Sequence, residues 1–210
     1  MRCYDRPVTE DTIAPSLADQ QRDLARTRIL RAAGQVLGTR GLTATMDDVA
    51  EIAGVNRRTV FRHYATRDGL FAQAILAGVH RYAEALPTAP EHGDLSAWLH
   101  ELLLVTHRLN ADNGRVFWEI AALPIDDLSP ELASAAHESR KARNNFAVKV
   151  SGRLWQARGG SGKPPRWLVD AVAVQLSGFT TQSLGGDLGR SPAEVADVAA
   201  RVIEAAIGSA

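Results

Sequence analysis

Gly54 and Asn56 divide residues 45–64, TMDDVAEIAGVNRRTVFRHY, into two short helical segments joined by a tight turn. Glycine is favoured at the left-handed position that ends a helix, and asparagine is a strong helix N-cap. The pattern therefore predicts a first helix that begins at Thr45 and a second helix over residues 57–63. This is the helix-turn-helix pattern, in which the second helix enters the DNA major groove.

Two arginines, Arg57 and Arg58, lie in the first turn of the second helix, where the helix dipole is already positive. DNA phosphates and base edges would supply the missing negative charge. Val60 and Tyr64, spaced i, i+4, are predicted to hold this helix to its unit. The outer surface is then formed by Arg57, Arg58, Thr59, Phe61, Arg62 and His63. The alternative is a solvated basic helix, which would leave Phe61 unexplained as an exposed aromatic side chain.

The distribution of charge supports a nucleic-acid contact. The chain has 210 residues, is 45% hydrophobic and 23% charged, and has no net charge, as a globular protein does. Residues 21–70, however, carry nine arginines, no lysine and five acidic residues, a net charge of +4. Arginine binds phosphate and guanine edges through a planar fork that lysine lacks.

Composition also limits the location and the chemistry. The single cysteine, Cys3, excludes a disulfide within the chain, and neither a signal peptide nor a membrane span is recognisable, so a cytoplasmic protein is expected. The motifs HExxH, GxSxG and GxxxxGK are absent and the histidines are scattered. We therefore expect neither an enzyme nor a metal site, and no cofactor.

Helical periodicity extends through nearly the whole chain, so the predicted fold is all-α. Further helices are predicted over residues 22–40, 67–86, 95–109, 115–123, 130–157, 165–184 and 192–207. The predicted organisation is a flexible N-terminal arm (1–21), a three-helix DNA-binding domain (22–66) and a helical-bundle domain for effector binding and dimerisation (67–210). The helix that begins near residue 67 joins the last two.

The stretch TATMDDVAEIAGVNRRTVFRHYATRDGLF, residues 43–71, resembles the DNA-binding signature of the tetracycline-repressor-like (TetR) transcriptional regulators. The resemblance implies a homodimer that binds a palindromic operator on double-stranded DNA, acts as a repressor and is released by a small molecule. It implies that Thr45 contacts phosphate, that Arg57 and Arg58 read bases, and that Thr59, His63 and Arg67 occupy phosphate positions. Phe61, Asn56 and Arg67 stand where this family commonly has Tyr, Ser and Lys.

The C-terminal part is expected to hold the effector and the dimer interface. A cavity for an apolar or aromatic effector is predicted among Trp98, Leu102, His107, Phe117, Trp118, Phe146, Gln175 and Phe179. The plain alternative for each of these residues is a place in the core. A four-helix dimer interface is predicted from Val172, Leu176, Val195, Val198, Val202 and Ala206.

Two alternatives remain open at this stage. Arg2 and Arg6 of the N-terminal arm could enter a DNA minor groove, although a mildly acidic tail without contacts is the simpler interpretation. The chain could also be an architectural DNA-binding protein without small-molecule control, which ligand-dependent release would exclude.

Overall fold

Helices account for nearly all of the chain in the computed structural model, which describes residues 16–112 and 115–208, apart from the side chains of Phe117 and Ala121. These residues form no β-strand, so the predicted all-α fold is confirmed. Within them lie α1 (Leu17–Arg40), α2 (Met46–Ala53), α3 (Arg57–His63), α4 (Arg67–Ala85), α5 (Leu95–Asp112), α6 (Arg115–Ala122), α7 (Pro130–Ala157), α8 (Arg166–Gln175), α9 (Gly178–Thr181) and α10 (Pro192–Gly208). Short 3-10 turns at Gly41–Thr43 and Ile125–Asp127 follow α1 and α6, and a π-helical segment, Gln182–Asp187, follows α9.

The first helix begins at Leu17 rather than near residue 22. Ser16 caps it, because the Ser16 hydroxyl oxygen accepts the Asp19 N–H at 3.2 Å. Apolar periodicity missed this start because Leu17 and Leu24 are exposed. The arm predicted to be flexible is therefore helical from Leu17 onward. Residues 1–15, with Arg2 and Arg6, lie outside the described part of the chain.

The single helix predicted over residues 165–184 is wrong, because α8 and α9 are separate helices with Ser177 between them. The Ser177 hydroxyl oxygen accepts the Thr180 N–H at 3.3 Å and so caps α9. The hydroxyls of Ser177 and Thr180 each donate to the Val174 carbonyl at 2.7 Å. Side chains that bond to nearby backbone groups in this way compete with a continuous helix, and this explains the break.

Buried apolar side chains form two clusters. The first joins α1 to α4 with α6 and the first half of α7, and includes Ile29, Leu37, Val49, Val60, Phe71, Val116, Ile120, Leu132 and Ala136. The second joins α5, the second half of α7, α8 and α10, and includes Trp98, Leu102, Leu103, Val150, Leu168, Val172 and Ile203. The helix-turn-helix unit therefore shares its core with α6 and α7 as well as with α4.

Two kinds of feature are not found in residues 16–112 and 115–208. No helix there has both the length and the apolar character needed to cross a membrane. No three His, Cys, Asp or Glu residues are grouped closely enough to hold a metal ion.

Candidate DNA-binding surface and effector cavity

The turn between α2 and α3 has the geometry that Gly54 and Asn56 predict. Gly54 adopts the left-handed conformation, φ 62° and ψ 40°, and its N–H donates to the Glu51 carbonyl at 3.1 Å. A Cβ at this position would meet only the flexible end of the Arg28 side chain, so it is the left-handed backbone that favours glycine. Asn56 caps α3, because its Oδ1 accepts the Thr59 N–H at 2.8 Å. These contacts determine where α2 ends and α3 begins.

The third helix packs one side into the core and presents the other side to solvent. Val60 is fully buried and Tyr64 nearly so, as their i, i+4 spacing predicts. The exposed side chains are those of Arg57, Arg58, Phe61 and Arg62, while Thr59 and His63 are half-buried. Phe61 is 40% exposed beside these arginines, so its ring forms an apolar part of the same surface.

The three arginines of α3 differ in their contacts. Arg57 Nη1 lies 3.0 Å from Oδ2 of Asp47 on α2, and its guanidinium lies 5.3 Å from the centre of the Phe61 ring. Both partners of this ion pair are more than half exposed, so it contributes about 1 kcal/mol or less. Arg58 and Arg62 make no hydrogen bond or ion pair with any residue that the structure describes. They are therefore the two cations of α3 most available to a ligand.

The side chains of Thr45 and Thr59 both bond at the start of a helix. Thr45 and Asp48 form a capping box: Thr45 Oγ1 accepts the Asp48 N–H at 3.2 Å, and Asp48 Oδ2 accepts the Thr45 N–H at 2.8 Å. The bonds from Thr45, aided by the charge of Arg40, hold the pKa of the Asp48 carboxyl below its ordinary value. Thr59 Oγ1 donates to Asn56 Oδ1 at 2.9 Å. The phosphate contacts implied for both threonines stay predictions.

His63 lies half-buried beside a group of arginines. Burial lowers the pKa of its imidazole below the ordinary value, and the positive charges of Arg62, Arg22 and Arg26 lower it further. Its Nε2 atom is buried and has no hydrogen-bond partner among the described residues. A phosphate oxygen could reach this atom only after the imidazole turned outward, because the atom is enclosed by the protein. The phosphate position implied for His63 therefore stays a prediction.

Arg67, predicted to bind phosphate, uses its guanidinium within the protein. Nε donates to the Ala44 carbonyl at 2.7 Å, Nη2 donates to the Leu42 carbonyl, and Nη1 lies 2.7 Å from the Asp68 carboxylate. The guanidinium also lies 4.8 Å from the centre of the Phe71 ring. Arg67 therefore ties the first turn of α4 to the connector that precedes α2, and these contacts engage all three of its nitrogen atoms.

Arg67→Ala is expected to lower the free energy of unfolding by about 1–3 kcal/mol, because two backbone carbonyls lose a charged donor. For a chain of this size the melting temperature should fall by roughly 2–12 °C in a thermal unfolding experiment. Arg166→Ala is the control, because the Arg166 side chain is almost fully exposed. A normal melting temperature with a reduced salt dependence of DNA binding would show instead that Arg67 acts as a phosphate ligand.

Comparison with known families assigns the N-terminal unit. Residues 29–74, from α1 into α4, match the sequence profile of the family described as "Bacterial regulatory proteins, tetR family". The chain carries a tetR-family DNA-binding domain. No curated protein matches the chain at a significant level.

The similarity to solved tetR-family regulators extends beyond this domain. A tetR-family transcriptional regulator from Streptomyces coelicolor is 17% identical, with a TM-score of 0.67 over 86% of this chain and 78% of that chain. The fatty acid degradation regulator FadR from Bacillus halodurans is 16% identical, with a TM-score of 0.63 over 85% and 94%. FadR from Bacillus subtilis, solved in complex with stearoyl-CoA, is 14% identical, with a TM-score of 0.61 over 84% and 96%. At these identities the likeness shows the fold, which is that of a tetR-family transcriptional regulator.

Behind the tetR-family domain, a cavity of about 320 Å³ lies between α4 and α7, and we refer to it as the α4–α7 cavity. Its apolar lining includes Val79, Tyr82, Leu86, Ile120, Phe146 and Leu176. Its polar lining includes Asn110, Ser139, Arg140, Arg143, Asn145 and Lys149. Among the lining residues that the structure describes, three are cationic and none is acidic. The volume is at the low end of the range for small-molecule sites.

Most of the predicted effector residues lie elsewhere. Phe146 lines the α4–α7 cavity, whereas Trp118 lines a neighbouring, more open cavity of about 540 Å³ beside α6 and α9. Trp98 and Leu102 are packed in the second core cluster. The side chain of Phe117 lies outside the described part of the structure. The structure therefore does not bring these aromatic residues together, since periodicity shows which face of a helix is apolar but not which helices meet.

The polar residues predicted to anchor the effector, His107 and Gln175, do not line the α4–α7 cavity. His107 is fully buried, and its Nδ1 lies 2.8 Å from the Thr181 hydroxyl, to which Asn110 also donates at 3.1 Å. Burial lowers the pKa of His107 to about 4, so the ring is neutral. Gln175 is partly buried on α8, and Phe179 is exposed on α9. Of this group only Asn110 lines the α4–α7 cavity.

The cations of the cavity were not predicted, although the sequence contains a signal. Arg140, Arg143, Phe146 and Lys149 recur every third residue along α7, so each is a neighbour of the next on the adjoining turn while the series winds partly around the helix. None of the three cations has an acidic residue three or four positions away that could pair with it. A row of unpaired cations interrupted by an aromatic residue is unusual for a helix whose polar face is simply solvated.

Exposure divides the predicted dimer residues into two groups. Val172, Leu176 and Val195 are buried within the single chain, so they are not available to a second copy, and that part of the prediction is corrected. Val198 and Val202 are 43% and 42% exposed on α10, and Ala206 is partly buried near its end. Other exposed apolar side chains in this part of the chain are Val174, Phe179 and Leu188.

One buried carboxylate connects α6 to the tetR-family domain. Glu119 is 8% exposed, and its Oε2 accepts the Leu42 N–H at 2.7 Å while its Oε1 lies 2.5 Å from Arg115 Nε. Gly41 provides the space, because a Cβ there would lie 2.2 Å from Oε2 of Glu119. Gly41 also has φ 60° and ψ −148°, a conformation that is essentially restricted to glycine. Glu119 therefore holds the connector between α1 and α2.

The other end of α6 contacts the α4–α7 cavity. Arg140 Nη2 donates to the Ile120 carbonyl at 3.0 Å and to the Leu123 carbonyl at 2.5 Å. Positive charge at these last carbonyls is favourable, because the C-terminal end of a helix is partly negative. The short helix α6 thus lines the cavity through Ile120 and contacts the connector between α1 and α2 through Glu119.

Proposed function

We propose that this tetR-family regulator represses transcription by binding a palindromic operator as a homodimer, and that a small molecule in the α4–α7 cavity releases it. The observation that best supports DNA binding is the exposed face of α3, where Arg58 and Arg62 have no partner among the described residues. In this proposal residues 22–66 bind DNA, and residues 67–210 bind the effector and form the dimer.

Each residue of the proposed surface has a separate role. Arg57 and Arg58 read base edges, and Arg62 neutralises phosphate. Phe61 packs against the sugar-phosphate backbone, and Asn56 keeps α3 in place. Further phosphate contacts come from Thr45, Thr59 and His63, whose side chains lie at the ends of α2 and α3. Arg67 keeps a supporting role, because its donors hold the connector before α2.

Small-molecule control is supported by two observations. The α4–α7 cavity lies against α4, the helix that continues directly from the DNA-binding unit. FadR from Bacillus subtilis, which shares the fold, was solved with stearoyl-CoA bound. A dimer on DNA needs its two reading helices about 34–36 Å apart, so a ligand that moves α4 or α6 would disturb that spacing.

The proposal is tested by selecting binding sites from a pool of random-sequence DNA duplexes. We expect enrichment of an inverted repeat, with half-sites separated by about one helical turn. Binding of the selected duplex is then measured by fluorescence anisotropy at several salt concentrations. Failure to enrich any sequence, or enrichment of a site without two-fold symmetry, would contradict the proposed operator.

Replacing Val198 and Val202 together with glutamate should convert the dimer to a monomer, because the proposed interface would then bury four unpaired charges across the two copies. Both side chains are exposed in the single chain, so the fold should be retained. The matched control is Val148→Glu, because Val148 is also 42% exposed but lies on α7. The mass is measured by sedimentation equilibrium. An unchanged dimer mass in the double variant would exclude this face of α10.

A further inference from the structure

We infer that the α4–α7 cavity binds a small anion with an apolar body, a carboxylate or a phosphate monoester, through Arg143 and Lys149. The inference depends on the proposed function only in that the same cavity is taken as the effector site. It adds a negative charge to the apolar or aromatic effector that the sequence alone predicts.

The cavity contains positive charge without a counter-charge. Arg143 and Lys149 form no ion pair or hydrogen bond with the described residues, and no described lining residue is acidic. Arg140 lies one turn before Arg143 on the same helix, and its Nε is buried without a partner. Like charges at the wall of a partly enclosed cavity repel each other more strongly than they do in water. A bound anion would remove this repulsion, whereas a neutral ligand would leave it in place.

The surroundings of Arg143 also favour a bound anion. Burial lowers the pKa of its guanidinium, the positive charge of Arg140 lowers it further, and Tyr82 opposes these effects. Burial also raises the pKa of the Tyr82 phenol to about 12, so this ring is neutral near pH 7 and does not neutralise the arginine. An anion next to Arg143 would stabilise its charged form.

The arrangement of the lining predicts a ligand with two ends. Lys149 is exposed and Arg143 is half-buried, so the cationic wall runs from the surface inward along α7. The uncharged lining carries the polar groups of Asn110, Ser139 and Asn145 and an apolar part that includes Val79 from α4, Leu86 directly after α4 and Leu176 from the end of α8. The guanidinium fork of an arginine matches the oxygen pairs of carboxylate and phosphate. A charged head beside Arg143 and an apolar body against the apolar part of the lining would satisfy both kinds of surface.

The test uses the full-length protein without DNA, titrated by calorimetry with octanoate, octyl phosphate and octan-1-ol. These probes share one apolar chain and differ in the head group. We expect at least one anion to bind about 10- to 100-fold more tightly than the alcohol, as a charge-assisted hydrogen bond would require. Tighter binding of octanoate would indicate a carboxylate effector, and tighter binding of octyl phosphate would indicate a phosphate effector.

Arg143→Gln should abolish most of this preference and leave the affinity for octan-1-ol unchanged. The control Arg166→Gln, on an exposed side chain of α8 outside the cavity, should keep the preference. Thermal unfolding provides a second measurement: without ligand, Arg143→Gln should melt at or above the temperature of the parent chain, because it removes an unpaired charge. A merely structural arginine would give a lower melting temperature when replaced.

Four results would overturn the inference: equal binding of the alcohol and both anions, no binding of either anion, an unchanged preference in Arg143→Gln, or a lower melting temperature of that variant without ligand. Failure of the proposed operator binding or release would not change these results, because the titration contains no DNA and measures anion binding alone. Anion binding that depends on Arg143, together with no release from a selected operator, would support the ligand class and contradict effector control.

Discussion

Arg58→Ala is expected to lower the affinity for the selected operator by roughly 1–3 kcal/mol at each half-site, because one bidentate contact to a base is lost in each reading helix. Both copies of a dimer lose this contact, so the full operator should show about twice the effect of a half-site. Affinity for random-sequence DNA should fall much less. The physical reason is that Arg58 is exposed and has no partner among the described residues, so its donors are free to bind.

Arg57→Ala should have a smaller effect than Arg58→Ala. The Arg57 guanidinium is paired with Asp47 at 3.0 Å, and this pair must break before the side chain can reach a base. Anisotropy titrations of both variants against operator and random duplexes, at two salt concentrations, measure the difference. Arg166→Ala again serves as a distant control. If Arg58→Ala keeps the parental ratio of operator to random affinity, sequence recognition does not depend on this residue.

Glu119→Ala should produce the second large effect, a loss of about 1–3 kcal/mol in the free energy of unfolding, because the partly buried Leu42 N–H loses a charged acceptor. The connector between α1 and α2 should open more often as a result. We therefore expect faster amide hydrogen exchange at Leu42 and through α2, measured by mass spectrometry. Operator affinity should fall as the connector opens more often, although no DNA contact is removed.

Two variants separate the roles of this carboxylate. Arg115→Ala removes the ion-pair partner of Glu119 but leaves the bond to Leu42, so its effect on exchange should be small. Glu138→Ala is the surface control, because that carboxylate pairs only loosely with Lys141 at 3.7 Å. Parental exchange rates in Glu119→Ala would show that α6 does not hold the connector. Glu119→Ala should also weaken effector-dependent release, because it removes the polar contact of α6 with the connector and leaves only the apolar packing of Val116 and Ile120.

The features predicted correctly from the sequence are those that local chemistry determines. Gly54 and Asn56 end one helix and begin the next through contacts within a few residues, and Thr45 caps α2 in the same way. Val60 and Tyr64 are buried because a short helix with exposed arginines has only one apolar side to pack. These rules operate over one or two turns, so a single sequence is enough to apply them.

The features that were missed depend on contacts between distant parts of the chain. Arg67 bonds to carbonyls more than 20 residues earlier, and Glu119 bonds to Leu42 from another helix. Gly41 ends α1, and its second role, to leave space for Glu119, depends on the fold. The lining of the α4–α7 cavity likewise depends on which helices meet. The lengths of α1 and α8 were misjudged for a local reason, because Ser16 and Ser177 act as caps.

The shared first core cluster has a consequence for engineering. Regulators can be recombined by joining the DNA-binding domain of one protein, its reading head, to the effector-binding domain of another, its sensor. Here a junction after residue 66 would separate the reading head from Val116 and Ile120 of α6 and from Leu132 of α7, which complete its interior. A transplant that kept α1 to α3 alone would expose this apolar surface and leave the Leu42 N–H unpaired. A working chimera should therefore carry α6 and the first half of α7 with the reading head, or reproduce their apolar side chains and the carboxylate of Glu119 in the new sensor.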